Sequence, residues 1–218
     1  MEILVFGDIH QNINRLKELK NEVVDADLII IAGDITQLGE STEAEKIINE
    51  FLSVNNSVIA QAGNMDKNSV DAYLTEEGIN LHGKGYMYED VGIFGAGGSS
   101  PSPFNTPTEF PEEVIKKLLI QGYNSIKTAP VKIMICHTPP LGTKLDRLTN
   151  GTHVGSKLVR EFIEEYKPQA AVVGHIHEGK GEDTIGNTRL FNPGVFAQGG
   201  YVHISIKESV VEGSLKQI

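Results

Sequence analysis

The 218-residue chain is 39% hydrophobic and 22% charged, carries a formal net charge of −10 and contains one cysteine. That length can bury a full core without staples, and a single cysteine excludes an internal disulfide, which predicts a reducing, cytoplasmic setting. The acidic balance argues against a general binder of long nucleic acid, which needs a basic face to displace counterions, and no apolar run approaches the ~18 residues of a membrane span or resembles a signal peptide.

In chain order, residues 3–7 read as a buried strand that runs into Asp8 and His10, since a short apolar run bounded by glycine suits a strand. Residues 13–24 space Ile13, Leu16, Leu19 and Val23 along one face of a helix. A second strand over 28–33 runs into Asp34. A helix over 42–54 follows, with Thr42 and Glu45 as its expected capping box and Ala44, Ile47, Ile48 and Phe51 as its apolar face. A third strand over 58–63 meets Asn64, and a short polar helix is expected over 67–76. Strands over 86–89 and 91–95 precede the one long irregular stretch, residues 95–107. A segment of that length in a compact domain is usually functional or mobile, and it offers Phe104 and Asn105 as substrate contacts that cover a site.

A helix beginning near Pro111 shows Val114, Ile115, Leu118 and Leu119. The strand over 133–136 reaches His137, and Cys136, on an alternating strand, points away from that histidine into the core. A helix over 156–166 stops before Pro168. Residues 170–174 then run into His175 and His177, and the remainder reads as strands over 183–191, 201–206 and 210–214 joined by turns. Alternating strands and helices followed by a strand-rich end predict an α/β fold, two mixed sheets packed together with helices outside, in one domain spanning 1–218.

Five apolar runs therefore end in a metal-capable side chain. Each fragment alone is weak, because Gly-Asp at a strand end is often an Asx-turn. Jointly they matter, since sites in open α/β sheets form where strands end. With the strands side by side, Asp8, His10, Asp34, Asn64, His137, His175 and His177 converge on one rim, enough to hold two metal ions. Asp34 can bridge the two through its two oxygens. Two divalent ions against Asp8 and Asp34 leave a site charge of about +2, which attracts a phosphate and lowers the pKa of a bridging water toward ~7. Histidine and oxygen ligation without thiolate suits Mn²⁺, iron, Zn²⁺, Ni²⁺ or Co²⁺ alike.

The order Gly7-Asp8-Ile9-His10, Gly33-Asp34, Gly63-Asn64-Met65-Asp66, His137 and Gly174-His175-Ile176-His177 resembles the calcineurin-like metallophosphoesterase family. The stretches His137-Thr138-Pro139-Pro140, Gly155-Ser156 and Asn192-Pro193-Gly194 resemble its Icc-related branch. The resemblance spans residues 7–177. It implies a four-layer α/β/β/α sandwich with a binuclear metal centre, in which Asp8, His10, Asp34 and His177 hold one metal and Asp34, Asn64, His137 and His175 the other. The implied activity is hydrolysis of a small phosphoester by a metal-bridging hydroxide, with Asn64 also touching the substrate.

One departure bears on that activity. Many members carry a histidine after the Asn of the third block, paired with the following acid; here those positions are Met65 and Asp66. A thioether has no proton to give. General acid catalysis contributes ~10²–10⁴-fold, and poor alkoxide leaving groups need it most, so the expectation shifts from a monoester toward a diester. Asp66 and His153 are the candidate catalytic residues. His153 lies in Gly151-Thr152-His153-Val154-Gly155-Ser156, a glycine-rich approach to a helix start of the kind that binds anions, and His153 and Ser156 are expected to face the substrate phosphate. Asn192 is expected to help position a ligand histidine. Arg147, Lys157 and Arg160 read as solvated. The rival readings are an interaction protein that has kept the fold, a monoesterase, and a nuclease acting on short nucleotides.

Overall fold

The apolar runs are nearly continuous, not alternating, because the strands they form are covered on both faces. In the computed structural model, which describes residues 1–218, β1 (Glu2–Phe6) turns Ile3 and Val5 inward between two sheets and Leu4 and Phe6 outward to helices. The chain continues through α1 (Lys20–Asp25), β2 (Leu28–Ile31), α2 (Ser41–Leu52), β3 (Val58–Ala60), α3 (Asn68–Glu76), β4 (Gly85–Tyr88) and β5 (Val91–Ala96). Then come α4 (Glu112–Ser125), β6 (Val131–Cys136), α5 (Lys157–Tyr166) and β7 (Ala170–Val173). The end is all strand: β8 (Gly181–Ile185), β9 (Thr188–Asn192), β10 (Gly200–Lys207) and β11 (Val210–Gln217).

One sheet has the order β11-β10-β1-β2-β3 and the other β4-β5-β6-β7-β9-β8. Strands β1 to β3 are parallel, as are β5, β6, β7 and β9. Between the sheets lie Ile3, Val5, Leu28, Ile30, Ile133, Ile135, Val172 and Phe191. Helices α1 to α3 bury Val23, Ile48, Phe51 and Leu74 on the outside of the first sheet. Helices α4 and α5 bury Ile115, Leu119, Phe162 and Ile163, with Cys136 beside them, on the outside of the second. This is the four-layer α/β/β/α sandwich that the motif order implied.

Three elements differ from the sequence expectation. The first helix shrinks to a 3₁₀ turn at Leu16–Leu19 followed by α1. The preceding residues are tied elsewhere, since the His10 and Gln11 N–H groups donate to the Asp34 and Ile35 carbonyls (2.9 and 3.0 Å). The capping box of α2 is built by Glu40 and Glu43 instead of Thr42 and Glu45, and the Glu40 N–H donates to the Glu43 carboxylate at 2.9 Å. The run over 183–191 is a hairpin, broken at Gly186, whose φ of 57° continues no strand.

Candidate metal centre

The parallel strands deliver their ends to one rim, where the backbone leaves regular geometry. Asp8, His10, Asp34 and His175 all take positive φ, at 47, 46, 49 and 66°. Such residues cost of order 1–3 kcal/mol each and persist only where their surroundings hold them. Backbone bonds across the first two blocks do that: Asp8 N–H donates to the Gly33 carbonyl (3.2 Å), and His10 N–H to that of Asp34.

Two groups of ligands meet there. In the first, His177 Nε2 lies 3.2 Å from Asp8 Oδ1 and 3.2 Å from His10 Nε2, which is 3.7 Å from Asp34 Oδ2. One ligand atom from each of Asp8, His10, Asp34 and His177 lies within 4.8 Å of the others. In the second, Asn64 Oδ1 is 3.0 Å from His137 Nε2 and 2.7 Å from His175 Nδ1, and Asp34 Oδ1 is 3.4 Å from His137 Nε2. Asp34 thus offers one oxygen to each group.

The orientation of these groups is set by their other ends. His137 Nδ1 donates to the Ala32 carbonyl at 3.0 Å, which turns Nε2 toward the site. Asn64 Nδ2 donates to Thr106 Oγ1 at 3.0 Å, which turns Oδ1 toward the histidines. Thr106 is held in turn by Glu109, whose carboxylate accepts from the Ser102 and Thr106 N–H groups (3.1 and 2.9 Å) and from both their hydroxyls (2.7 Å each). Those donors outweigh burial and hold the Glu109 carboxyl at about 2.

A divalent cation fits this donor set. Asp8 Oδ2 and His10 Nδ1 are buried without any hydrogen-bond partner, and a buried polar atom left unpaired is costly. The His10 and His177 nitrogens also face each other, with room for one proton at most. Burial opposes ionisation of Asp34, but His137 and His10 hold its carboxyl below the usual range. Burial opposes charge on His137 as well, yet Asp34 with Asp8 behind it lifts that imidazole to about 9. His175 goes the other way, pushed down to about 4 by burial and by His137.

Several predicted residues are held by partners outside the ligand cluster. Asp66 is fully buried and accepts from the N–H groups of Ile35 (3.0 Å), Thr36 (2.7 Å) and Gly63 (2.8 Å) and from the Thr36 hydroxyl (2.7 Å). It ties the Asp34 turn to the Asn64 turn and has no open face for a substrate, which corrects its expected catalytic placing. Burial and then Asp34 raise its carboxyl to about 6. Ser156 needs the same correction. Its hydroxyl donates to Glu112 (2.7 Å) and accepts from the Val159 N–H (3.1 Å) as the N-cap of α5, so it faces no phosphate. His153 stays at the surface, its Nδ1 2.9 Å from Asp146. Phe104 is 81% exposed, with Asn105 at φ 50° beside it, on the loop that Glu109 fastens. Asn192 is buried and donates to the Ile176 carbonyl (2.9 Å) between the two histidines of the last block. Sequence reading missed Ala32, Thr106, Glu109 and Asp146, because a carbonyl or a loop side chain carries no spacing signal.

The calcineurin-like phosphoesterase family matches residues 1–179. The chain belongs to that family. An uncharacterized protein of Methanocaldococcus jannaschii is 35% identical over 198 residues, covering 88% of each chain. A crystal structure from Thermus thermophilus superposes with a TM-score of 0.74 at 18% identity, covering 98% of this chain and 97% of that one. A novel archaeal phosphodiesterase gives 0.56 at 14% identity over 99% and 100% of the two chains; at such identities the likeness is one of fold. Family membership and the Asp8, His10, Asp34 and His177 cluster together point to a divalent-metal phosphoric ester hydrolase. No helix is long and apolar enough to cross a membrane.

Proposed function

We propose that the chain hydrolyses small phosphodiesters at a two-metal centre, cytoplasmic, as its single buried cysteine suggests, and built into one domain over residues 1–218. The observation that carries the reading is Asp34, whose Oδ2 faces His10 and whose Oδ1 faces His137. A carboxylate so placed would serve two cations, one with Asp8, His10 and His177 and the other with Asn64, His137 and His175. Bound there, divalent ions would draw in a phosphate and acidify a shared water toward a pKa of ~7. The resident ions belong to the set Mn²⁺, iron, Zn²⁺, Ni²⁺ and Co²⁺.

The chain's own residues supply orientation. His137 and Asn64 are fixed by Ala32 and Thr106, and Phe104 and Asn105, on the loop that holds Thr106, would contact the ester's organic half. Asn64, touching both the second ligand group and this loop, would contact substrate beside the metal. The diester preference rests on Met65, which cannot protonate a leaving oxygen. Phe104 aside, no exposed aromatic residue offers a stacking stripe for a long strand.

The experiment compares bis(p-nitrophenyl) phosphate with p-nitrophenyl phosphate after chelation and re-addition of Mn²⁺, Ni²⁺ or Zn²⁺. Diester turnover is expected to need metal, to exceed monoester turnover, and to fall by at least ~10²–10³-fold in Asp34→Ala. Two ions bound per chain with no turnover of either ester would favour an interaction protein instead.

A further inference from the structure

Met65 has no proton to give, and a hairpin that carries a histidine is tied to two of the ligand blocks. After His137, Thr138 and Pro139 the chain runs out as a hairpin, in which Arg147 pairs with His153 across two antiparallel arms. It returns where the Ser156 N–H donates to the Pro139 carbonyl at 2.9 Å. The hairpin tip is fastened to the residue after His177: the Thr149 N–H and hydroxyl both donate to the Glu178 carboxylate, the hydroxyl at 2.6 Å. Gly179 packs against the Leu145 carbonyl on the same hairpin. The hairpin therefore leaves the chain just past one ligand, His137, and is tied back to the residue next to another, His177.

At its base Asp146 is fully buried. It accepts from the N–H groups of Gly142 (3.0 Å), Thr143 (2.8 Å) and Gly155 (3.0 Å) and from the Thr143 hydroxyl (3.2 Å), and His153 Nδ1 approaches at 2.9 Å. Burial opposes ionisation of Asp146, but His153 and these donors hold its carboxyl below the usual range. An ionised acceptor keeps a proton on His153 Nδ1, and the ring presents Nε2 from a side chain 40% exposed. Arg147, opposite His153, is the one arginine of four with no carboxylate at ion-pair distance, since Arg15, Arg160 and Arg189 each have one. An unpaired arginine beside a histidine, in a chain of net charge −10, suits an anion.

We propose that Asp146 orients His153 as the general acid for the leaving group, the work that Met65 cannot do. The proposal rests on the phosphodiesterase reading. In the step, a water oxygen forms the new P–O bond and gives one proton to solvent. The P–O bond to the leaving group breaks, and its electron pair moves onto the leaving oxygen. That oxygen takes a proton from His153 Nε2, and the ring recovers one from solvent. Asp146 stays ionised throughout and acts only through the ring it holds.

The test uses the full chain loaded with Mn²⁺ and two diesters, methyl p-nitrophenyl phosphate and methyl phenyl phosphate. Phenol, with a pKa near the ~10 of tyrosine, needs protonation on departure, whereas the more acidic p-nitrophenol does not. His153→Ala and Asp146→Asn are expected to lose about 10²-fold in kcat/KM on the phenyl ester and less than ~5-fold on the nitrophenyl ester. Added imidazole is expected to restore part of the phenyl ester rate to His153→Ala. Equal losses on both esters, or no loss, would overturn the proposal. Should Asp146→Asn fail to fold, His153→Ala and its imidazole response decide. A wild-type chain inactive on both esters overturns the phosphodiesterase reading and this one with it, while wild-type activity with uniform losses overturns this one alone.

Discussion

Asp66→Ala separates a structural acid from a catalytic one. The substitution strips the acceptor from three buried N–H groups, those of Ile35, Thr36 and Gly63, and from the Thr36 hydroxyl. The hydroxyl can turn elsewhere; the three N–H groups cannot. At roughly 1–3 kcal/mol per orphaned buried donor, the cost is about 3–9 kcal/mol. Against it stands the relief of a carboxyl lifted to about 6 by burial and by Asp34, and removing that buried charge recovers roughly 3 kcal/mol at neutral pH. The middle of the range is a net loss of about 3 kcal/mol, a large share of the ~5–15 kcal/mol that holds a domain together. With a slope of roughly 2 kcal/mol per molar urea, the unfolding midpoint should fall by about 1.5 M. Urea melts followed by circular dichroism at pH 7, with chelator present, measure this directly. Metal content measured alongside should drop too, because the turns carrying Asp34 and Asn64 lose their common anchor. A midpoint within about 0.3 M of wild type, with turnover nonetheless abolished, would refute the reasoning and return Asp66 to the chemistry.

Three further outcomes are expected. In Gly63→Ala, a Cβ would stand 2.1 Å from Asp34 Oδ1 and 2.2 Å from its backbone nitrogen, so the shared carboxylate must move; metal affinity should weaken at least ~10-fold by calorimetry with no ligand deleted. Glu109 is held at about 2, below the unfolded value of 4.5, so its support for the Ser102–Thr106 loop should be complete above pH 4.5 and lost as pH falls toward about 2. Glu109→Gln should show the same opening at neutral pH as at least ~10-fold faster amide exchange, equivalent to losing one hydrogen bond to a charged group. Re-adding Mn²⁺ to chelated protein at about 100 times its dissociation constant should stabilise the fold by roughly 2.7 kcal/mol in urea melts, and no shift would count against cation binding at this rim.

Much of the fold was legible because burial on both faces leaves a plain mark. A strand such as β2 must be apolar at every position, Leu28 through Ile31, so its extent and the ligand beyond it can be read directly. Helices α2, α4 and α5 were legible from spacing and from Pro111 and Pro168. The first helix was not, because the residues after His10 are committed to backbone bonds with the Asp34 block, a competition that local periodicity does not record.

By itself, then, the sequence marked most of the strands and the seven metal-capable side chains at their ends, since each is coded within a few neighbouring residues. Only the tertiary structure decided what those and nearby groups face. Asp34 turns one oxygen to His10 and the other to His137; Asp66 reads as catalytic and Ser156 as a phosphate contact in sequence, but one is consumed by Thr36 and Gly63 and the other by Glu112. Asp146, unremarkable in its own stretch, becomes the buried base of the His153 hairpin. The physical reason is range. Burial patterns repeat over two to four residues, whereas the partner that fixes a polar group's direction comes from wherever the fold brings a donor or acceptor within about 3 Å.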